Sequence, residues 1–283
     1  MTEQKKVPWW LWPNLLSLDA PVVALAWFWM FAETWGVRSL PPTLAVSLAL
    51  AVWAVYALDR ILDSRNATPR RALQKRHQFH RKFRWYFLSA VLLAVVWSLY
   101  ASLALLSQTA LLYGCFIVLL CVAYFVLVVA SAGRESTGLL KNFIAGMTFS
   151  YGTAAGVHSY SPLLSFTEML FSWEVAAFGA LCALNMTAID FWELEGEEEE
   201  DASALLGTLT LMLAAVSFYL ALSSGMWAKP FHYAIIAGTG GIYWLNRAKG
   251  QFDQNARRLW VDLVLLAPVL LFWVWTTYQR VLR

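Results

Sequence analysis

Charged residues are scarce in this sequence. Asp, Glu, Lys and Arg make up 14% of the 283 residues and hydrophobic residues make up 60%, whereas charged residues form about a quarter of a soluble domain. Residues 39–58 contain no charge at all. This composition excludes an ordinary soluble domain and predicts an integral membrane protein. No nucleic acid is expected as a partner.

Cysteine is also rare, and its placement excludes two kinds of site. The three cysteines, Cys115, Cys121 and Cys182, lie inside apolar runs and never form a CxxC pair. Neither a zinc site nor a disulfide framework is therefore expected.

Long apolar stretches divide the chain into candidate spans. A helix needs about 20 apolar residues to cross a bilayer, and this length predicts nine transmembrane helices, an all-α fold. The predicted spans are 17–36, 39–58, 86–106, 109–131, 139–158, 171–190, 203–224, 231–247 and 259–279.

The distribution of basic residues predicts the orientation of these spans. With a cytoplasmic N-terminus, 17 of the 21 Lys and Arg residues fall on the cytoplasmic side, where such residues concentrate. The C-terminus then lies on the opposite side, as in a multi-pass protein of a bacterial inner membrane. Residues 1–16, with Trp9, Trp10 and Trp12, are expected to lie at the cytoplasmic interface, and residues 17–283 to form a single nine-helix domain.

Two acidic clusters fall on this cytoplasmic side. Asp59 and Asp63 are four residues apart, so they share a helical face. More than 120 residues later, eight of the 18 acidic residues lie between Asp190 and Asp201. Carboxylates suit Mg²⁺, which leaves coordination positions to phosphate.

Basic residues near the first cluster could bind phosphate oxygens. They are Arg60, Arg65, Arg70, Arg71 and Lys75. Each feature has a simpler interpretation: a solvated helix end for the aspartate pair, the acidic first turn of a helix for the glutamate run, and topology or anionic lipid for the basic loop. Their coincidence on one side favours a site for a diphosphate carried on an apolar chain.

Four stretches resemble the UbiA superfamily of intramembrane prenyltransferases. "LSLDAPVVALAWFWM" is similar to the opening of the family's first span, and "VYALDRILD" to its first acidic motif. "GRESTGLLKNFIAGMTFSYGTAAG" looks like its basic loop and the following helix, and "AIDFWELEGEE" resembles its second acidic motif.

The resemblance implies a helical bundle around a central cavity with a cytoplasmic cap. It implies a magnesium-dependent enzyme that ionises an isoprenyl diphosphate and transfers the prenyl group to a lipophilic acceptor, which the sequence does not identify. Membrane lipid surrounds the bundle. The residues that match the family's metal-binding acids are Asp59, Asp63, Asp190, Glu193 and Glu197.

Further residues are expected to bind the substrate. Arg134 and Asn142 match the family's basic and amide positions. The residues expected to share the charge of the diphosphate are Arg65, Arg71, Lys75, Arg134 and Lys141. Aromatic side chains that could shield an allylic cation are Trp53, Tyr56, Tyr151 and Tyr160.

The chain departs from the family pattern at several positions. Val55 and Tyr56 replace the Asn and its neighbour that lead the first motif, and Ser17 and Ala20 replace basic residues of the first span. "TPRRAL" only loosely matches the segment that follows the first motif. These changes affect the acceptor and the number of metal ions more than the class of reaction.

Two alternative functions remain open from the sequence. If the cation closes on its own double bonds, the same site is a terpene cyclase. Polar residues in or near the spans also allow a transporter or a lipid-binding scaffold, although the sequence contains no inverted repeat of the kind many transporters have.

Overall fold

The fold was analysed in a computed structural model, which describes Pro8 and residues 11–66, 75–130, 138–161, 165–194 and 197–281. These residues form α-helices and one 3₁₀ turn, and the described part contains no strand. Six segments are long and apolar enough to cross a membrane: Pro42–Ser64, Arg84–Ala104, Gln108–Ala130, Phe166–Phe191, Glu198–Ser223 and Ala256–Tyr278. A multi-pass membrane protein of the all-α class is therefore supported.

Each of the nine predicted spans overlaps a described helix. In chain order these are α2 (Asp19–Thr34), α3 (Pro42–Asn66), α5 (Arg84–Ala104), α6 (Gln108–Ala130), α7 (Gly138–His158), α9 (Trp173–Phe191), α10 (Glu197–Ser223), α11 (Lys229–Ala248) and α12 (Gln254–Val281). Helices α2, α7 and α11 are outside the six spans above. At about 1.5 Å per residue, α2 is shorter than a hydrocarbon core of about 30 Å. The count of nine spans stays a prediction.

Three short helices connect or precede the long ones. They are α1 (Trp12–Leu15), α4 (Lys75–Lys82) and α8 (Phe166–Leu170). Helix α8 begins with a capping box, in which Ser165 accepts from the Glu168 amide and the Glu168 carboxylate accepts from the Ser165 amide. Helix α9 begins at an N-cap serine, Ser172, whose hydroxyl accepts from the Val175 amide.

Helices α7 and α9 approach closely through glycine. A Cβ added at Gly146 would lie 2.5 Å from the carbonyl oxygen of Gly179 and 2.6 Å from the Ala183 nitrogen. Only a residue without a side chain permits this distance between the two backbones. The contact fixes α7 against α9, and both helices carry residues of the candidate site.

Aromatic side chains fill the centre of the bundle. Trp27 of α2 stacks on Phe178 of α9 with ring centroids 4.2 Å apart, and its indole nitrogen donates to the Leu265 carbonyl of α12 at 2.9 Å. Phe31 and Phe231 pack beside them. Close packing of such rings is a main source of cohesion between helices in a membrane, so this cluster holds α2, α9, α11 and α12 together.

The outer surface of the bundle is apolar. Leu93, Leu112 and Leu270 are 70%, 69% and 68% exposed on α5, α6 and α12. Exposure of many large aliphatic side chains is unfavourable in water but suits lipid chains. The surface of the fold therefore agrees with a membrane location.

Residues 11–16 pack on α3, with Trp53 and Arg60 donating to carbonyls of this stretch. Helix α1 lies against α4, with Trp12 and Phe79 edge to face at 6.1 Å. Ser17 has a φ of 58°, a left-handed conformation that non-glycine residues rarely adopt, and its hydroxyl lies 3.2 Å from His80 Nε2. The turn at Ser17 directs the chain from α1 into α2.

Candidate functional site

The first acidic motif lies near the end of α3. Asp59 and Asp63 are one helical turn apart on the same face. The hydroxyl of Tyr124, on α6, donates to Asp59 Oδ1 at 2.7 Å. This hydrogen bond fixes the Asp59 carboxylate against the neighbouring helix.

Lys141, in the first turn of α7, joins the two acidic motifs. Its ammonium lies 3.5 Å from Asp63 Oδ1, and the two side chains are 28% and 39% exposed. Lys141 also interacts electrostatically with Asp59 and with Asp190. The ammonium therefore occupies a position between α3 and α9 that attracts positive charge and remains open to a ligand.

Asn142 holds the second motif. Its side-chain amide donates to Asp190 Oδ2 at 2.9 Å and to the Thr187 hydroxyl at 3.3 Å. Asn142 is 5% exposed, so water does not compete with Asp190 and Thr187 for its amide. The close contact at Gly146, one turn further along α7, supports this arrangement.

We call these residues the acidic cluster: Asp59, Asp63, Tyr124, Lys141, Asn142 and Asp190. The structure brings together five residues that the sequence predicted, from three helices that are far apart in the chain. Three carboxylates and one ammonium leave two formal negative charges. A divalent cation would neutralise that charge.

The donor set fits magnesium with one restriction. Carboxylate and amide oxygens are the donors that Mg²⁺ prefers. Within the described residues, however, no three His, Cys, Asp or Glu side chains converge closely enough to hold one ion. The arrangement fits a metal ion held by the α3 pair or by Asp190, with phosphate oxygens and water completing its coordination.

Glu193 has a different partner from Asp190. Its carboxylate forms an ion pair with Arg258 of α12, and the two side chains are 7% and 6% exposed. The neighbouring Arg257 donates to the Trp192 carbonyl at 3.5 Å. The pair anchors the start of α12 on the end of α9, and the role of Glu193 as a metal ligand stays a prediction.

Tyr56 lies on another face of α3. The guanidinium of Arg60 is 4.4 Å from the centre of its ring and donates to its hydroxyl at 2.6 Å. The Tyr56 hydroxyl is also 3.5 Å from Asp19 Oδ2. These contacts do not join Tyr56 to the acidic cluster, and its predicted contact with substrate stays untested.

The other candidate aromatic residues bind backbone groups. Trp53 donates to the Leu16 carbonyl at 2.9 Å and Tyr151 to the Leu170 carbonyl at 2.7 Å. The Tyr160 hydroxyl accepts from the Ser107 amide at 3.4 Å. Tyr151 lies nine residues beyond Asn142, about 13 Å along α7, so it is distant from the carboxylates.

Several predicted residues cannot be assigned contacts. Arg71 and Arg134 lie outside the described residues, as do the side chains of Arg65, Lys75 and Glu197.

Sequence reasoning missed Tyr124. It lies in an apolar run of α6 and belongs to no motif. The signal available was its hydroxyl, which no other side chain in the second half of α6 carries.

Comparisons with models of known protein families, with curated proteins and with solved structures found no match.

Proposed function

We propose that this protein is a magnesium-dependent intramembrane prenyltransferase of the UbiA type, acting on an isoprenyl diphosphate and a lipophilic acceptor. The observation that carries the proposal is the position of Lys141. It pairs with Asp63 of α3 and interacts with Asp190 of α9, as expected if the two acidic motifs form one divided site.

The charge of the acidic cluster supports a requirement for metal ions. A diphosphate is repelled by three carboxylates unless cations accompany it. A magnesium ion held by Asp59, Asp63 or Asp190 would supply Lewis-acid stabilisation of the diphosphate leaving group.

The protein groups then have separate roles in ionisation. Lys141 donates to the diphosphate oxygens, on which negative charge develops as the C–O bond breaks. Tyr124 keeps the Asp59 carboxylate oriented through its hydrogen bond, and Asn142 does the same for Asp190. Oriented groups of this kind reduce the rearrangement needed in the transition state.

The location of the cluster suits a substrate with two unlike ends. Asp59, Asp63, Lys141 and Asp190 lie at one end of their helices, whereas most of the rest of α6 and α9 is apolar. The diphosphate can thus remain at the polar end while the isoprenyl chain contacts apolar side chains.

Binding of an isoprenyl diphosphate tests the proposal. Purified protein is titrated with farnesyl or geranylgeranyl diphosphate at fixed Mg²⁺. We expect Mg²⁺-dependent binding in the wild type and at least a tenfold weaker affinity in Asp63→Asn and Asp190→Asn. Asp201→Asn, which neutralises an exposed carboxylate at the start of α10, is the matched control and should bind like the wild type.

The same preparation separates the candidate functions. Incubation with Mg²⁺ and the diphosphate, without an acceptor, should give little product from a transferase. Cyclic hydrocarbon or terpenol in clear excess over a metal-free control would identify a terpene cyclase instead. Binding that is unchanged in both aspartate variants would remove the enzymatic interpretation and favour a transporter or scaffold.

A further inference from the structure

A second polar cluster surrounds Arg60, on a different face of α3 from the acidic cluster. Arg60 is 5% exposed. One guanidinium nitrogen lies 3.1 Å from Asp19 Oδ2, and the other donates to the Asn14 carbonyl at 3.3 Å. Asn14 also donates to Asp19 Oδ2, at 2.9 Å. We call Asn14, Asp19, Tyr56, Arg60 and Asp262 the Arg60 network.

Asp262 brings a second carboxylate into this network. It lies on α12 beside Asp19 and Asn185, and interacts electrostatically with Asp19 and Arg60. Asn185 also donates to the carbonyl of Val261 at 3.1 Å, which fixes this turn of α12 against α9. The position of Asp262 next to Asp19 is therefore held by the backbone.

One carboxylate oxygen of Asp19 has no hydrogen-bond donor among the described residues. Oδ2 accepts from Asn14, Tyr56 and Arg60, whereas Oδ1 is buried and has no donor among the described residues. A buried carboxylate oxygen without a donor is costly. Asp262 is the neighbouring group that could supply a donor, and an ionised carboxylate has none.

The charges of the network do not balance if both acids are ionised. Tyr56 and Arg60 face the pair from α3, and α1 and α9 contribute the neutral Asn14 and Asn185. Arg258, one turn before Asp262 on α12, forms its ion pair with Glu193, and His80 of α4 contacts Ser17. The Arg60 guanidinium can balance one carboxylate. A second, unbalanced charge inside a membrane protein is strongly unfavourable.

We propose that Asp19 and Asp262 hold one proton between them, with Asp262 donating it to Asp19 Oδ1. Arg60 then balances the remaining charge, and the network is neutral. The shared proton connects α2 to α12, and Arg60 connects both to α3 and, through Asn14, to α1. This proposal does not depend on the reaction that the acidic cluster performs.

Infrared spectroscopy tests for the proton directly. The wild type should show a carbonyl stretching band of a protonated carboxylic acid at neutral pH, and the band should move to lower frequency in D₂O. Asp262→Asn should lack the band while keeping its fold, because the amide still donates to Asp19. Asp253→Asn, which removes an exposed carboxylate in the same part of the chain, should leave the band unchanged.

The pH dependence of stability provides a second readout. At pH values above the usual carboxyl range, near about 4, the folded chain would hold one more proton than the unfolded chain. The unfolding equilibrium constant of the wild type, relative to Asp262→Asn, should then rise about tenfold per pH unit. The ratio of the two unfolding constants should stop rising at the pH where the folded protein loses the shared proton.

Three results would overturn the proposal. They are the absence of the carboxylic acid band in the wild type, its persistence in Asp262→Asn, and a constant stability ratio between the two proteins across pH. A wild type that gains stability from added Na⁺ at constant ionic strength, while Asp262→Asn does not, would identify a metal cation in place of the proton and would also contradict it.

Discussion

The hydroxyl of Tyr124 donates a hydrogen bond of 2.7 Å to Asp59, a residue 65 positions earlier in the chain. The bond links α6 to α3 at the acidic cluster. Tyr124 itself is buried, so its ring has a packing role that is separate from its hydroxyl.

Tyr124→Phe separates these two roles. The ring stays in place, but Asp59 loses a hydrogen bond of the kind that contributes about 1.5–3 kcal/mol when one partner is charged. If the proposed function is right, affinity for the isoprenyl diphosphate at fixed Mg²⁺ should fall by roughly 10–100-fold. Tyr86→Phe alters a tyrosine that is 76% exposed and should have no effect; an equally unaffected Tyr124→Phe would show that Asp59 needs no such support.

Lys141→Met should affect two ligands in opposite directions. The substitution leaves three carboxylates without their ammonium partner, so Mg²⁺ alone should bind more tightly. The diphosphate should bind more weakly, because a donor to its oxygens is gone. Calorimetric titration with each ligand measures both effects, and Lys82→Met, at an exposed position of α4, is the control. A loss of affinity for both ligands would indicate that Lys141 acts by holding the fold.

Gly146→Ala tests the contact that places Asn142 beside Asp190. The new Cβ would meet backbone atoms of α9, which cannot move aside like the end of a side chain. We expect the free energy of unfolding to fall by about 2 kcal/mol, within the range that is typical of overpacking. Gly114→Ala has no atom within 4 Å of the new Cβ and should instead stabilise α6 by about 0.4–1 kcal/mol. Thermal unfolding in detergent compares the two, and similar values would mean that α7 and α9 are further apart.

The Glu193–Arg258 pair allows a double-mutant cycle. Removing one partner of a buried ion pair costs about 3–5 kcal/mol, since the other charge remains buried. Glu193→Gln and Arg258→Gln should each destabilise the protein, and the double variant should be more stable than the sum of the two changes predicts. The partly exposed pair of Lys249 and Glu199 should show a coupling of less than about 1 kcal/mol.

Magnesium affinity in the same variants addresses the predicted role of Glu193 in metal binding. Weaker Mg²⁺ binding in Glu193→Gln, with Arg258→Gln unchanged or stronger, would support a ligand role. Equal Mg²⁺ affinity in both variants and the wild type would assign Glu193 to the anchoring of α12 alone.

Much of the helical fold was predictable because hydrophobicity determines where a chain enters a membrane. The predicted span 39–58 overlaps α3, but α3 continues to Asn66. Helix α10 likewise begins at Glu197, six residues before its predicted span. The length of an apolar run predicts the part of a helix that lies in the hydrocarbon. It does not predict the polar turns by which the helix extends beyond the membrane.

The site was predictable only where residues form motifs. Asp59, Asp63 and Asp190 were found by spacing, Asn142 by the family resemblance, and Lys141 by its charge. Tyr124 and Asp262 meet their partners through tertiary contacts with α3 and α2, which local sequence does not encode. The contact of Tyr56 with Arg60 could have been predicted from the sequence, since residues four apart in a helix share a face.

The register of α3 limits how this gene can change. Asp59 and Arg60 are adjacent, yet they belong to two separate clusters, so each cluster depends on its angle around the same helix. Insertion or deletion of one residue between Pro42 and Tyr56 would rotate Asp59 and Arg60 by about 100° around the helix axis. Both side chains would then lose their partners at once. Length variation is therefore better tolerated in the connection 35–41, which precedes α3 and leaves both angles unchanged.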